Sequence, residues 1–213
     1  MRFANRDRAA AMLADALREY RGQHPLVLGL PRGGVPMARV IADALEGDVD
    51  VALVRKLRMP GQPELAIGAV DEAGAVVKGR YFEHAPGDYV DEEVRRQRDI
   101  ISRRRELYTR TQPPIDAQGR IVILVDDGVA TGSSMVSAVN AVRARDPVRI
   151  VVAVAVAPPR SLDTMRAAAD EVVCLYSTED FYAVGQFFDD FSEVSDEQVV
   201  AALAHTPAHR PAR

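Results

Sequence analysis

The chain has 213 residues, 27% of them charged and 47% hydrophobic, with a formal net charge of −4. That is long enough for one domain with a substantial core and ordinary for a globular protein, and the slight negative charge weighs against general nucleic-acid binding. The single cysteine, Cys174, excludes an internal disulfide, every apolar run is too short to span a bilayer, and His24, His84, His205 and His209 lack metal-ligand spacing.

The opening segment, Met-Arg-Phe-Ala-Asn-Arg-Asp-Arg, lacks a signal-peptide core. With Cys174 inside the apolar run Val172-Val173-Cys174-Leu175, this predicts a reducing, cytoplasmic setting. Met12, Leu13, Ala16, Leu17 and Tyr20 share one face of a helix predicted over 8–20. Leu26–Leu30 reads as a strand, Pro31-Arg32-Gly33-Gly34 as a turn and Val35–Leu45 as a helix. A second strand is expected over Val49–Val54, then a Pro- and Gly-rich loop over 55–65. Segments 65–70 and 75–78 suit a hairpin across Asp71-Glu72-Ala73-Gly74.

A long charged helix is predicted from Tyr89 to Tyr108, ended by Gln112-Pro113-Pro114, with Val94, Ile101 and Tyr108 recurring every seven residues. Its arginines at 95, 96, 98, 103, 104 and 105 invite a nucleic-acid reading. The interleaved Asp91, Glu92, Glu93, Asp99 and Glu106 make a solvated, salt-bridged face the expectation. A strand at Val122–Val125 follows, with a helix behind it. Then come a strand at 149–156, a helix at 161–169, a strand at 171–175 and a short helix at 196–205; the tail after Thr206 is expected to fray. This alternation implies an α/β fold with a mostly parallel sheet flanked by helices. One domain is expected over 1–213. It comprises a core of about 22–58 and 119–178, an inserted loop and helix at about 59–118, and a C-terminal segment from about 179.

The most informative stretch is Val-Ile-Leu-Val-Asp-Asp-Gly-Val-Ala-Thr-Gly-Ser-Ser, residues 122–134. A strand buried on both faces delivers Asp126 and Asp127, and a loop, Ala130-Thr131-Gly132-Ser133-Ser134, opens a helix. Loops at the carboxyl ends of parallel strands are where open α/β sheets bind ligands. The loop's amides and hydroxyls at a helix N-terminus suit a phosphate. The carboxylates would repel phosphate and instead suit sugar hydroxyls or a hydrated metal. A phosphorylated sugar satisfies both halves. A second strand–turn–helix, Leu28 to Val35, carries Arg32 for bidentate phosphate contact and Gly33 and Gly34 for close amide approach.

Together these residues resemble the type I phosphoribosyltransferases, over about residues 25–190, and most nearly their uncharacterised "predicted phosphoribosyltransferase" group. In that resemblance Asp126 and Asp127 hold the ribose hydroxyls of phosphoribosyl pyrophosphate (PRPP), and residues 130–134 bind its 5′-phosphate. Arg32, Gly33 and Gly34 form the pyrophosphate turn, where Pro31–Arg32 matches a cis non-proline peptide. Arg55 and Lys56, running into Pro60-Gly61, resemble an Arg-Lys segment that approaches the pyrophosphate; the alternative is solvated strand-end charge. Glu72-Ala73-Gly74 loosely echoes a Glu-x-Gly whose glutamate serves the base; otherwise it is a plain turn. Phe181 and Tyr182 either stack on a base or pack the C-terminal hood. Two departures stand out. Gly128 replaces a usual larger apolar residue, and Ala130 stands where 6-oxopurine enzymes usually carry an acid.

The resemblance implies transfer of the phosphoribosyl group to a nitrogenous base with release of pyrophosphate. Mg²⁺ would be held mainly by the ligand and water rather than by a protein metal site. The implied partners are small molecules, not a membrane or nucleic acid, and a homodimer is compatible with it. A non-catalytic PRPP- or nucleotide-sensing regulator on the same fold stays open.

Overall fold

The computed structural model describes residues 1–72, 74–109 and 113–204. Five strands, β1 (Leu26–Gly29), β2 (Asp48–Val51), β6 (Ile121–Gly128), β7 (Arg149–Ala157) and β8 (Glu171–Ser177), form a parallel sheet in the order β2-β1-β6-β7-β8. The inner strands are apolar throughout because helices cover both faces. Alternation sends Ile123 and Val125 of β6 toward α1 (Arg6–Ala16), α2 (Gly34–Leu45) and α6 (Asp196–Ala204). Val122 and Leu124 face α4 (Ser133–Arg143) and α5 (Pro159–Arg166). From β1 the chain builds outward to β2, whereas β6 begins growth in the opposite direction. The order therefore reverses between β1 and β6, and a crevice opens outside their carboxyl ends. The two turns singled out in the sequence leave from those two ends.

A separate antiparallel sheet contains β3 (Val54–Met59), β4 (Gln62–Asp71) and β5 (Val76–Lys78). It packs against α4 and against α3 (Gly87–Thr109). Here the sequence expectation is corrected twice. The strand expected over 49–54 ends at Val51, and Val54 starts a new strand paired to Asp71. The loop expected over 55–65 is a hairpin that confines Pro60 and Gly61 (φ +73°) to its turn. The charges of Arg55, Lys56 and Arg58 masked the strand pattern, because these residues face a site rather than a core.

The other helices and strands fall within a few residues of expectation. The first helix starts at Arg6, where the Asn5 side chain accepts a bond from the Arg8 N–H, and ends in a 3₁₀ turn at Arg18–Tyr20. Ala73, Gln112, His205 and the tail after Thr206 lie outside the described residues. The chain's early and late segments meet: Phe3 N–H donates to the Phe187 carbonyl (2.7 Å), and Asp189 N–H to that of Phe3 (2.9 Å). No described helix is long and apolar enough to cross a membrane.

Candidate functional site

The two turns touch through their glycines. A side chain at Gly33 would lie 2.2 Å from Asp127 Oδ2, and one at Gly34 would lie 2.3 Å from the Val125 carbonyl oxygen. Only glycine lets the backbone after β1 approach the end of β6 this closely. The Pro31–Arg32 peptide is cis, as the resemblance implied. The Arg32 guanidinium pairs with Glu193 of the C-terminal segment.

Asp126 and Asp127 point to opposite sides of β6. Asp126 Oδ1 accepts the Asp127 N–H at 2.9 Å. Asp127 lies 8% exposed and accepts from Arg6 Nε at 2.8 Å. Arg6 also donates to the Ser192 carbonyl at 2.7 Å and lies 3.9 Å over the Phe191 ring. Burial, then the Asp127 charge, pushes the Asp126 pKa well up. Asp127 is also raised by burial, with Arg6 opposing.

The loop from Ala130 to Ser134 keeps Thr131 and Ser133 hydroxyls together (3.1 Å) and presents the N-terminus of α4. Gly132 takes φ +80°, and Ser161 Oγ donates to the Ala130 carbonyl at 2.6 Å. Lys56 reaches from β3 to Ser133 Oγ at 2.5 Å, so the hairpin and the loop form one site.

Between them lies a cavity of about 250 Å³. Its lining includes Leu30 and Pro31, Ser134 and Ser137, and the cations Arg55, Lys56, Arg58 and Arg104. No acidic side chain among the described residues lines it. Burial, then Arg104 and Arg58, lowers the Arg55 pKa.

Three further expected residues are Glu72, Phe181 and Tyr182. Glu72 accepts from Arg105 Nη2 at 2.5 Å in a buried cluster with Asp50. Its neighbour Asp71 pairs with Arg145, beyond the far end of α4. The 11 residues of α4 span roughly 16 Å. In this structure the Glu72 carboxylate pairs with Arg105. Phe181, half-buried, packs on Phe187 (5.3 Å between centroids). The Tyr182 ring is 91% exposed.

No local pattern signalled Arg6 or Glu193, whose partners are remote in the chain. Arg104 was hidden in a helix read as a solvated face. Gly128 has a local explanation: an added Cβ would lie 2.6 Å from Val184 Cγ1, so the usual larger side chain is replaced by a hood residue.

The raised Asp126 pKa carries a stability prediction. A carboxyl whose folded pKa is raised binds more protons folded than unfolded, so stability is lost as pH rises through that window. Asp126→Asn removes this cost while its Oδ1 still accepts the Asp127 N–H. The variant is expected to melt above the wild type at pH 8, by about 2–4 °C for each kcal/mol recovered. The gain vanishes at acid pH, where both states hold the proton. A lower melting temperature at pH 8 contradicts this account.

The fold and the meeting of the two turns define a parallel α/β protein with a glycine turn and an acid-bearing loop at its switch point. The sequence pattern of the phosphoribosyl transferase domain matches residues 4–192, and the chain belongs to that family. Its fold is that of the type I phosphoribosyltransferases. It is 41% identical over 214 residues to "Putative phosphoribosyl transferase Rv0571c" of Mycobacterium tuberculosis H37Rv, and equally to MT0597 of strain CDC 1551. The match takes in 98% of this chain but 47% of theirs, so the chain spans about half the length of these relatives. The crystal structure of TT1426 from Thermus thermophilus is 48% identical, with a TM-score of 0.89 over 95% of this chain and 98% of that one.

Proposed function

We propose that the protein transfers the 5-phosphoribosyl group of PRPP to a nitrogenous base and releases pyrophosphate. One observation carries this reading: the Arg32-Gly33-Gly34 turn and the acid-bearing loop meet at the switch point, with room for nothing larger than hydrogen between Gly33 and Asp127. A single ligand with a diphosphate, a ribose and a 5′-phosphate spans that pair of turns. In this reading residues 130–134 take the 5′-phosphate and Asp126 and Asp127 the ribose hydroxyls. Arg32, Gly33, Gly34, Arg55 and Lys56 take the pyrophosphate. Catalysis then rests on positioning and on stabilising the leaving diphosphate.

Mg²⁺ would neutralise the diphosphate. No group of three or more His, Cys, Asp or Glu suited to a metal occurs among the described residues. Asp126 and Asp127 offer the hard oxygens Mg²⁺ accepts, but Asp127 is paired with Arg6. The cation would be held chiefly by diphosphate oxygens and water, with Asp126 and Asp127 nearby. The exposed Tyr182 ring is the hood aromatic free to stack on an acceptor base.

The test is linkage. A ligand binding only the native state stabilises by RT ln(1 + [L]/Kd), about 2.7 kcal/mol at a hundredfold excess over Kd. Mg-PRPP is expected to raise the melting temperature more than ribose 5-phosphate, and adding the right base to release pyrophosphate. Stabilisation without release across purines, pyrimidines and small aromatic amides or acids points instead to a sensor. A melting temperature unmoved by millimolar Mg-PRPP overturns the reading.

A further inference from the structure

We propose that helix α3 is a working wall of the phosphate cavity: Arg104 is a direct ligand for a diphosphate group, and Gln97 aims Arg55 at the same group. The inference rests on the phosphoribosyl reading and adds residues from a helix outside the two turns.

Gln97 and Arg104 lie seven residues apart, two helical turns, on the stripe that also carries the buried Ile101. That stripe faces β3. Gln97 is 6% exposed, an unusual place for a polar side chain unless its bonds are met. They are met specifically: its Oε1 accepts Arg55 Nε at 2.5 Å, and its Nε2 donates to Glu93 Oε1 at 2.9 Å. Arg55 is thereby held at the cavity wall. One helical position past Arg103, Arg104 reaches the same cavity, and its guanidinium makes no ion pair or hydrogen bond with a described residue.

Four cations line the cavity with no acidic side chain among its described lining residues, and they repel one another. Such an arrangement suits a ligand of high negative charge. The 5′-phosphate is already served by amides and hydroxyls at the start of α4. Lys56 reaches Ser133 of the phosphate loop, whereas Arg55, Arg58 and Arg104 share the cavity with Leu30 and Pro31, next to the turn of Arg32. The chemistry they fit is a diphosphate, either free or carried on a sugar.

The test is calorimetric titration of the full chain with inorganic pyrophosphate, PRPP and ribose 5-phosphate. Arg104→Ala and Gln97→Leu are each expected to weaken pyrophosphate and PRPP binding by about tenfold, the scale of one charge-assisted hydrogen bond. Ribose 5-phosphate affinity should stay within about twofold in both variants, since of the four cations only Lys56 is bonded to the loop assigned to its phosphate. Arg104→Lys should recover part of the loss. Arg103→Ala, which removes the same charge from an exposed position outside the cavity, should change neither. Wild-type pyrophosphate affinity in Arg104→Ala overturns the proposal, as does an equal loss in Arg103→Ala. So does parallel loss of ribose 5-phosphate binding, which marks a structural role. A wild type that binds ribose 5-phosphate but not pyrophosphate overturns this inference alone; one that binds neither overturns the phosphoribosyl reading as well.

Discussion

Arg105→Ala is expected to cost about 3–5 kcal/mol of stability, the scale measured when one partner of a buried charge cluster is removed. Arg105 sits on α3 and donates to Asp50 Oδ1 at 2.6 Å and to Glu72 Oε2 at 2.5 Å. The Asp50 and Glu72 side chains are only 6% and 9% exposed. Burial pulls the Arg105 pKa down, but the two carboxylates outweigh it and the net shift is upward. Two acids share one cation, so burial is not fully offset at Glu72, whose pKa is raised. Alanine would leave both carboxylates enclosed and facing each other. Asp50 also accepts the Ile115 N–H at 3.0 Å, so the damage spreads to the segment leading into β6.

At about 2–4 °C per kcal/mol for a domain of this size, the melting temperature should fall by roughly 6–20 °C. Combining Arg105→Met with Asp50→Asn and Glu72→Gln should recover much of it, because no uncompensated charge remains. A fall of less than about 2 °C in Arg105→Ala would mean that the cluster is solvated rather than buried.

Gly34→Ala should damage both stability and binding. Its Cβ would lie 2.3 Å from the Val125 carbonyl oxygen and 3.2 Å from Asp126 Cα. These are backbone atoms, so no rotamer change relieves the overlap. The turn after β1 must move away from the end of β6. Overpacking of this kind costs about 1–3 kcal/mol. The displacement also separates Arg32 from Asp126 and Asp127, so pyrophosphate and ribose 5-phosphate affinities should fall together. Gly128→Ala, by contrast, meets the side chains of Val184 and Val156, which can yield, and should cost less. Gly87→Ala meets nothing within 4 Å and serves as the neutral control. Denaturant titration and calorimetry decide the matter, and unchanged PRPP affinity in Gly34→Ala would show that the two turns do not act as one site.

The residues that proved legible in the sequence are those whose role is written locally. Val122–Val125 with Asp126 and Asp127 announced strand, acids and loop within thirteen positions, and the alternation of elements announced the sheet. The hairpin at Val54–Asp71 was not legible, because its strand identity comes from pairing across the turn while its charges and its Pro-Gly read as loop. Glu72 shows the converse. Its neighbours resembled a functional turn, but its ion pair with Arg105, 33 residues later, left no mark on the local pattern. Arg6 was invisible because its partner Asp127 lies 121 residues away. No periodicity records a meeting that only the finished fold brings about.

That meeting sets an order of events when the protein loosens. Asp127 is steadied by a helix at the start of the chain and, through Arg6, by Phe191 and Ser192 near its far end. Residues 189–195 form no helix or strand, and such segments open at lower free energy than paired central strands. An opening that releases Phe191 and Ser192 from Arg6 is therefore expected to reach Asp127 while β1, β6 and β7 remain paired. Slow amide exchange in the central strands should then coexist with fast exchange over 189–195.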